Sequence, residues 1–426
     1  MKLLRTRRSP RLLLAGLAVS AVLVAPSLAQ STRTVDDGAS TFSDELQGLD
    51  GWLQGLVEDG EVVAAAALVG VGEDVSYRGV AGHLERGGAE LPADAIFRIY
   101  SMTKPITSVA AMILVEEGRL ALDDPVAKYL PAFEELEVAH FEGRPSWETL
   151  ELLPAENVMT VRHLLNHTSG LIYGIFARGP LAEMYAEAQV WDPENDLLEF
   201  AERVASLPLV AEPGTKHTYS VSTDILGAVI QVAADMPLEA FLAKRVFEPL
   251  GMVDTGFHVP EAKHARFCHL YYQAGGQAGR KDEDGRAAYL SAPRMPSGGG
   301  GLVSTVADYA RFCRLLANEG ALGEVRLLRE ETFRTMTQAP AEGDPAAVAY
   351  PPGLGFGLGF LVVADGSRVG APLATGQISW GGMASTDFFV NPGKDLYGIF
   401  MTQILPTNGG YGIALQRQVY GAWTGE

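Results

Sequence analysis

Apolar positions recur with helical spacing over residues 43–58, where Leu46, Leu49, Leu53, Leu56 and Val57 fall on one face and Ser43 is placed to cap the first turn. The pattern then changes. Val62 to Val71 and Val75 to Val80 are apolar runs broken by Gly72-Glu73-Asp74, which predicts a hairpin. Ala95 to Tyr100 reads as extended. After Pro105, a helical stripe of Ile106, Val109, Ala110, Met112, Ile113 and Val115 runs to Gly118. The stretch from about 105 to 250 is predicted mostly helical, with helices at Val161–Asn166, Leu197–Leu207 and Ser222–Ala234. Strand patterns return at Phe356–Val363, Ala384–Val390 and Leu396–Gln403, with Asn391-Pro392-Gly393-Lys394 as a turn, before a last helix from about Tyr411 to Thr424. Strands at both ends with helices between predict an α+β fold. One antiparallel sheet is assembled from the two chain ends, flanked by helices, and the helical middle is an insertion. The regular alternation of a doubly wound sheet is missing.

The first 29 residues have the make-up of an export leader. Lys2, Arg5, Arg7, Arg8 and Arg11 precede an apolar stretch from Leu12 to Val24, and Ser27-Leu28-Ala29 supplies small residues before a cut at Gln30. The apolar stretch is short for a membrane span. The Arg7-Arg8 pair admits twin-arginine export, but Ser9-Pro10 follows it, which favours the ordinary route. The expected protein is therefore periplasmic or secreted, with a leader at 1–29, one domain at 30–426 and no stable membrane span after cleavage. Losing the leader's five basic residues takes the net charge from −19 to −24, which argues against nucleic acid and anionic lipid as partners. A hydrophobic content of 47% is ample for a large core, and no linker or repeat divides the chain. Export permits a disulfide between the two cysteines, Cys268 and Cys313, but Cys313 lies on a helical pattern that suits a buried thiol equally well.

Chemistry enters at Ser101-Met102-Thr103-Lys104. A serine three residues before a lysine brings an amine and a hydroxyl together, one helical turn apart. A serine is a poor nucleophile until a base takes its proton, and a lysine serves if its surroundings favour the neutral amine. The motif alone also describes an ordinary surface pair. Tyr219, on the loop Thr215–Ser220 before a helix, is a second proton carrier or else a structural tyrosine. Trp380-Gly381-Gly382, followed by Met383, places two glycines in a strand pattern, which marks close backbone approach by a ligand or another strand. His163 and His167 have the spacing of a zinc helix without its glutamate, and His264, Cys268 and His269 lack further ligands, so no metal is expected. No G-x-S-x-G elbow occurs.

Taken in order, these pieces resemble the serine β-lactamase and penicillin-binding-protein superfamily, its class C-like branch, and most of all the family VIII carboxylesterases. Ser101–Lys104 is joined by Glu117–Val126, Leu164–Leu171, Phe247–Met252, Gly299–Thr305 and Trp380–Gly382, six stretches in the family's order. The resemblance implies a β-lactamase-like fold. It makes Ser101 the acyl-accepting nucleophile, Lys104 its base and Tyr219 a partner in proton transfer. The backbone N–H groups of Ser101 and Met383 would hold the oxyanion, with Trp380, Gly381 and Gly382 as the third substrate-binding box. It implies no metal and no organic cofactor. Two positions depart from the pattern. Tyr219-Ser220-Val221 lacks the asparagine usual two residues after the tyrosine, and Trp380 replaces a lysine. Loss of one amide contact and one charge contact removes about 2–5 kcal/mol of preference for anionic β-lactams and peptide termini, on the order of 10²–10³-fold. The expected activity is hydrolysis of short-chain carboxylic esters. A β-lactamase, D-amino-acid peptidase or acyltransferase on the same site is the alternative, and a silent cell-wall-binding or scaffold relative a third. Nothing in the pattern speaks to oligomeric state.

Overall fold

The computed structural model describes residues 42–424 apart from 283, 371 and 372, so the leader lies outside the described residues. The first helix is a short 3-10 turn, Asp44–Gln47, running into α1 (Gly48–Glu58). Leu46, Leu49, Leu53 and Leu56 are buried as the spacing predicts, although the Ser43 side chain makes no capping hydrogen bond. The predicted hairpin is β1 (Ala64–Val71) and β2 (Asp74–Gly82). After β3 (Phe97–Arg98) and α2 (Thr103–Glu116), the middle of the chain holds an antiparallel ribbon that its helical pattern did not announce, β4 (Glu137–Phe141) with β5 (Leu150–Pro154). The helices α3 (Val161–Leu165), α4 (Pro180–Glu187), α5 (Leu197–Ala205) and α6 (Ser222–Ala234) follow.

Two small ribbons, β6 (Tyr271–Ala274) with β7 (Gln277–Lys281) and β9 (Ala321–Leu322) with β10 (Val325–Arg326), lie outside the main sheet. Between them β8 (Val303–Ser304) pairs with β3. The predicted strand Phe356–Val363 is two strands, β11 (Leu354–Phe356) and β12 (Leu361–Val363), because Gly357 to Phe360 turn the chain back on itself. β13 (Ile378–Gly382), β14 (Thr386–Asn391) and β15 (Leu396–Thr402) complete a seven-stranded antiparallel sheet in the order β11-β12-β13-β14-β15-β1-β2.

The two chain ends meet where β1 pairs with β15, from Ala65 opposite Thr402 to Val71 opposite Leu396. β1 is apolar throughout because both of its faces are covered. Ala64, Ala66 and Leu68 join the main core with α2, α6 and the helix Val306–Ala317. Ala65, Ala67 and Val69 pack with α1 and the last helix, Gly410–Ala422. Cys268 and Cys313 are both buried and free, so the permitted disulfide does not form. Among the described residues no single helix is long and apolar enough to cross a membrane.

Candidate active site

Ser101 sits in a 3-10 turn, Tyr100–Met102, that continues directly into α2. Tyr100 enters this turn in the left-handed region, at φ +43°, a conformation that costs a non-glycine residue free energy and persists only where packing enforces it. The enforcement is visible on both sides. β3 is held to β8, and the Tyr309 hydroxyl donates 2.9 Å to the Met102 carbonyl. α2 is buried from Thr103 to Leu114, which explains how an amine ends in the interior: Lys104 is only 1% exposed.

The one-turn spacing does what the sequence requires of it. Lys104 Nζ stands 3.3 Å from Ser101 Oγ. Its other contacts come from residues outside the motif. It donates 2.6 Å to the Gly299 carbonyl and 3.0 Å to the Tyr173 hydroxyl. Tyr219, implied by the resemblance as a partner in proton transfer, also reaches the amine, but with its ring face. Its ring lies under Lys104, with the amine 4.6 Å from the ring centre, and its hydroxyl makes no hydrogen bond among the described residues. The phenol oxygen that touches Lys104 is that of Tyr173.

Behind these groups stands Asp224, on α6 and fully buried. Its Oδ1 accepts from Ser297 Oγ at 2.5 Å and from the Gly299 N–H at 3.0 Å, and its Oδ2 faces the Tyr173 hydroxyl at 3.5 Å. Burial pushes the Asp224 carboxyl up, against the opposing pull of Lys104 and its hydrogen-bond donors. Burial and Asp224 together push the Tyr173 phenol well above its ordinary value. A Cβ on Gly299 would come within 2.3 Å of Asp224 Oδ2, so the glycine run is what lets the 298–301 loop reach both the carboxylate and the lysine. Neither Tyr173 nor Asp224 was singled out from the sequence. A signal for Asp224 existed: a carboxylate beside Ile225, Leu226, Val229 and Ile230 on an apolar helix calls for a buried partner.

The glycines of the third box also have a physical reason. A Cβ on Gly382 would lie 2.3 Å from the Ile99 carbonyl and 2.2 Å from Thr386 Oγ1. Only a bare strand passes this close to the segment that leads into Ser101. The strand then turns at Met383-Ala384-Ser385, with Ser385 at φ +64°, and Gly382 pairs with Thr386 across the hairpin. Ser101, Met383, Trp380, Gly381 and Gly382 all border one cavity of about 620 Å³. Its other walls are Tyr100, Tyr173, Ile175, Phe176, Trp191, Tyr219, Tyr289, Ser297, Gly299, Gly300, Gly301 and Thr407. None of these lining residues is charged. Trp191 stacks on Tyr173 with ring centres 6.3 Å apart, and the Trp380 indole packs against Tyr219 at 5.4 Å and edge-on to Phe356 at 5.0 Å.

The paired histidines do not converge on a site. His163 Nδ1 accepts from the Thr160 N–H at the start of α3, while His167 lies beyond the helix end at φ +57°, packed on Tyr219 and Phe356. His264 Nε2 lies 2.8 Å from the Val259 carbonyl, and Cys268 is wholly buried.

The family model described as Beta-lactamase matches residues 49–420. The chain belongs to the beta-lactamase family. Among curated relatives of this beta-lactamase family member, Esterase EstB from Burkholderia gladioli is 31% identical over 395 residues, 87% of this chain and 94% of the relative. Lovastatin esterase from Penicillium rubens is 28% identical over 356 residues, 78% of this chain and 88% of the relative. Among solved structures, "EstCE1, a hydrolase with promiscuous acyltransferase activity" superposes with a TM-score of 0.75 at 25% identity, covering 89% of this chain and 99% of that one. The fold is the β-lactamase fold, and the chain is a serine hydrolase of that fold. Within the family pattern, the two departures differ in kind. Trp380 is on the cavity wall, where a lysine would bring a charge. Val221 is fully buried in the main core at the start of α6, so its side chain is not among those facing the cavity.

Proposed function

We propose that this chain is an exported carboxylesterase that cleaves short-chain acyl groups from uncharged esters through an acyl-enzyme on Ser101. The observation that carries this reading is the cavity beside Ser101, about 620 Å³ in volume and bordered by no charged residue. A carboxylate-bearing β-lactam or peptide terminus entering it would lose hydration and gain no counter-charge. An uncharged ester loses little, and aromatic walls give its alcohol part apolar surface to bury.

In this reading Lys104 takes the Ser101 proton as Oγ attacks the ester carbonyl. The backbone N–H groups of Ser101 and Met383 receive the oxyanion. As the tetrahedral adduct collapses, Lys104 returns a proton to the leaving alkoxide. Water then repeats the sequence in reverse and frees the serine. The names of the relatives, esterases and a hydrolase with acyltransferase activity, support acyl chemistry at one serine. A second reading, transfer of the acyl group to an alcohol, draws on the same names and on a cavity roomy enough for an acceptor. Export rests on the leader at residues 1–29, and cutting before Gln30 would show as the N-terminus of the protein recovered outside the cytoplasm.

The test compares kcat/KM for p-nitrophenyl butyrate and for a chromogenic cephalosporin, with Ser101→Ala as control. Ester turnover well above cephalosporin turnover, abolished in the variant, is the expected result. Full ester turnover by Ser101→Ala would end the reading. Faster cephalosporin turnover would move the protein to the β-lactamase side. Turnover of neither substrate, with no fluorophosphonate labelling of Ser101, would leave the silent scaffold.

A further inference from the structure

An ammonium group has three N–H bonds to give. Lys104 Nζ has three oxygen neighbours at hydrogen-bond distance: Ser101 Oγ at 3.3 Å, the Gly299 carbonyl at 2.6 Å and the Tyr173 hydroxyl at 3.0 Å. A fully protonated Lys104 is therefore saturated and cannot accept the serine's proton until it has lost one. The Gly299 carbonyl cannot take that proton in any useful sense, and Ser101 is the group that must supply the next one. With Ser101 reserved for that step, Tyr173 is the neighbour left that can both accept and donate, and its hydroxyl is directed to Asp224 Oδ2 at 3.5 Å.

We propose that Asp224 is the store for the proton that Lys104 must shed, with Tyr173 as the link between them. The inference rests on Ser101 being the nucleophile and Lys104 its base. The step balances within the chain. A Lys104 N–H bond breaks as that proton joins the Tyr173 oxygen, and the original Tyr173 hydroxyl proton joins Asp224 Oδ2. One positive and one negative charge, both buried, become an amine and a carboxylic acid. The Ser101 O–H bond then breaks as its Oγ forms a bond to the ester carbon, and Lys104 gains that proton. It passes to the alkoxide when the ester C–O bond breaks. After deacylation the stored proton returns through Tyr173 to Lys104.

Burial and the nearby Lys104 act on Asp224 in opposite directions, and burial is the larger effect. Asp224 is wholly buried, and burial disfavours its charged form. The other titratable groups around Lys104 are Tyr219, whose ring face meets the amine, and His167, which burial keeps neutral. Beyond them His217 packs 6.0 Å from His167 and is also held neutral by burial. None of these three has a hydrogen bond to Lys104, so the path through Tyr173 is the one with donors and acceptors in sequence. In this relay Tyr173 and Asp224 act through Lys104, although Tyr173 also borders the cavity.

The test uses Tyr173→Phe, Asp224→Asn and the double variant, with kcat/KM for p-nitrophenyl butyrate followed against pH. Each single variant is expected to lose about 100-fold at neutral pH. Tyr173→Phe, which leaves Lys104 to shed its proton to solvent beside an ionised Asp224, moves the acid limb of the profile upward by about one pH unit or more and regains rate in alkali. The double variant loses no more than the worse single one, because one path has been cut twice. Thermal melting checks that each variant folds. An unmoved acid limb in Tyr173→Phe, or losses that multiply in the double variant, would overturn the proposal even if Ser101 were labelled by a fluorophosphonate and turned over esters. Retained turnover in Ser101→Ala would instead overturn the underlying reading.

Discussion

Lys104 Nζ lies 3.3 Å from Ser101 Oγ, on a residue that is only 1% exposed. The pair is local in sequence, but its burial is not. It depends on α2 running through the core and on the glycine loop that closes over the amine.

Replacing Lys104 by methionine keeps the length of the side chain and removes the base. Ester turnover is expected to fall about 10³-fold or more, within the range of general acid–base contributions. Fluorophosphonate labelling of Ser101 should slow in parallel, since both reactions need the same proton removed. Labelling at the wild-type rate would mean another group activates the serine.

Trp380→Lys and Val221→Asn separate the two departures from the family pattern. The first places a charge at the wall of a cavity lined without one, so it should raise cephalosporin turnover relative to ester turnover by about 10-fold, near 1.4 kcal/mol of new charge contact. The second places an amide where Val221 is fully buried in apolar surroundings. It should cost about 1–3 kcal/mol of stability and confer no β-lactam turnover. Urea melts and paired kinetics check both.

Gly382→Ala tests the close approach of β13 to the nucleophile. Its Cβ would stand 2.3 Å from the Ile99 carbonyl, two residues before Ser101. The strand must move away, taking Met383 with it. Stability should fall by about 1–3 kcal/mol, and kcat by about 10²-fold through the displaced oxyanion donor. A variant that melts lower but keeps kcat would detach Met383 from the oxyanion.

Phe176 and Ile175 border the cavity yet are 64% and 65% exposed, so they form its outer lip. Phe176→Ala should lower kcat/KM for 1-naphthyl butyrate by about 10-fold, from lost apolar burial, and hardly alter that for methyl butyrate. Stability should stay within about 0.5 kcal/mol, as for other exposed positions. Equal losses on both esters would mean that the lip does not meet the alcohol.

His217 is held at about 4 by burial, below the ordinary 6.5, and burial lowers His167 well below that value. The unfolded chain therefore binds more protons than the folded one between these values. The stability from keeping the rings neutral is complete above about pH 6.5 and is lost as pH falls toward 4. The melting temperature should drop by several degrees across that window, and by less in His217→Gln. An identical pH dependence in the variant would show that His217 does not contribute.

The fold was legible where the pattern was strong. The apolar runs of β1 and β15 and the spacing in α1, α2 and α6 appear as read, because both-face or one-face burial imposes its period on the sequence. The ribbon β4–β5 was missed because it lies at the rim, where much of it stays in solvent and little hydrophobic alternation is demanded. The split of 356–363 into two strands turned on Gly357 and Gly359, whose turn geometry a run of apolar residues conceals.

For the site, the sequence by itself determined what is local: the serine one turn from the lysine, the bare glycines beside Trp380, and the order of motifs that marks the family. Tertiary structure decided which side chains meet them. Tyr173 is 69 residues from Lys104, and Ser297 is 73 from Asp224. Their contacts exist only because α6, the 297–301 loop and the segment after α3 fold onto one amine. A buried charge needs partners on every side, and one stretch of chain supplies only one of those sides.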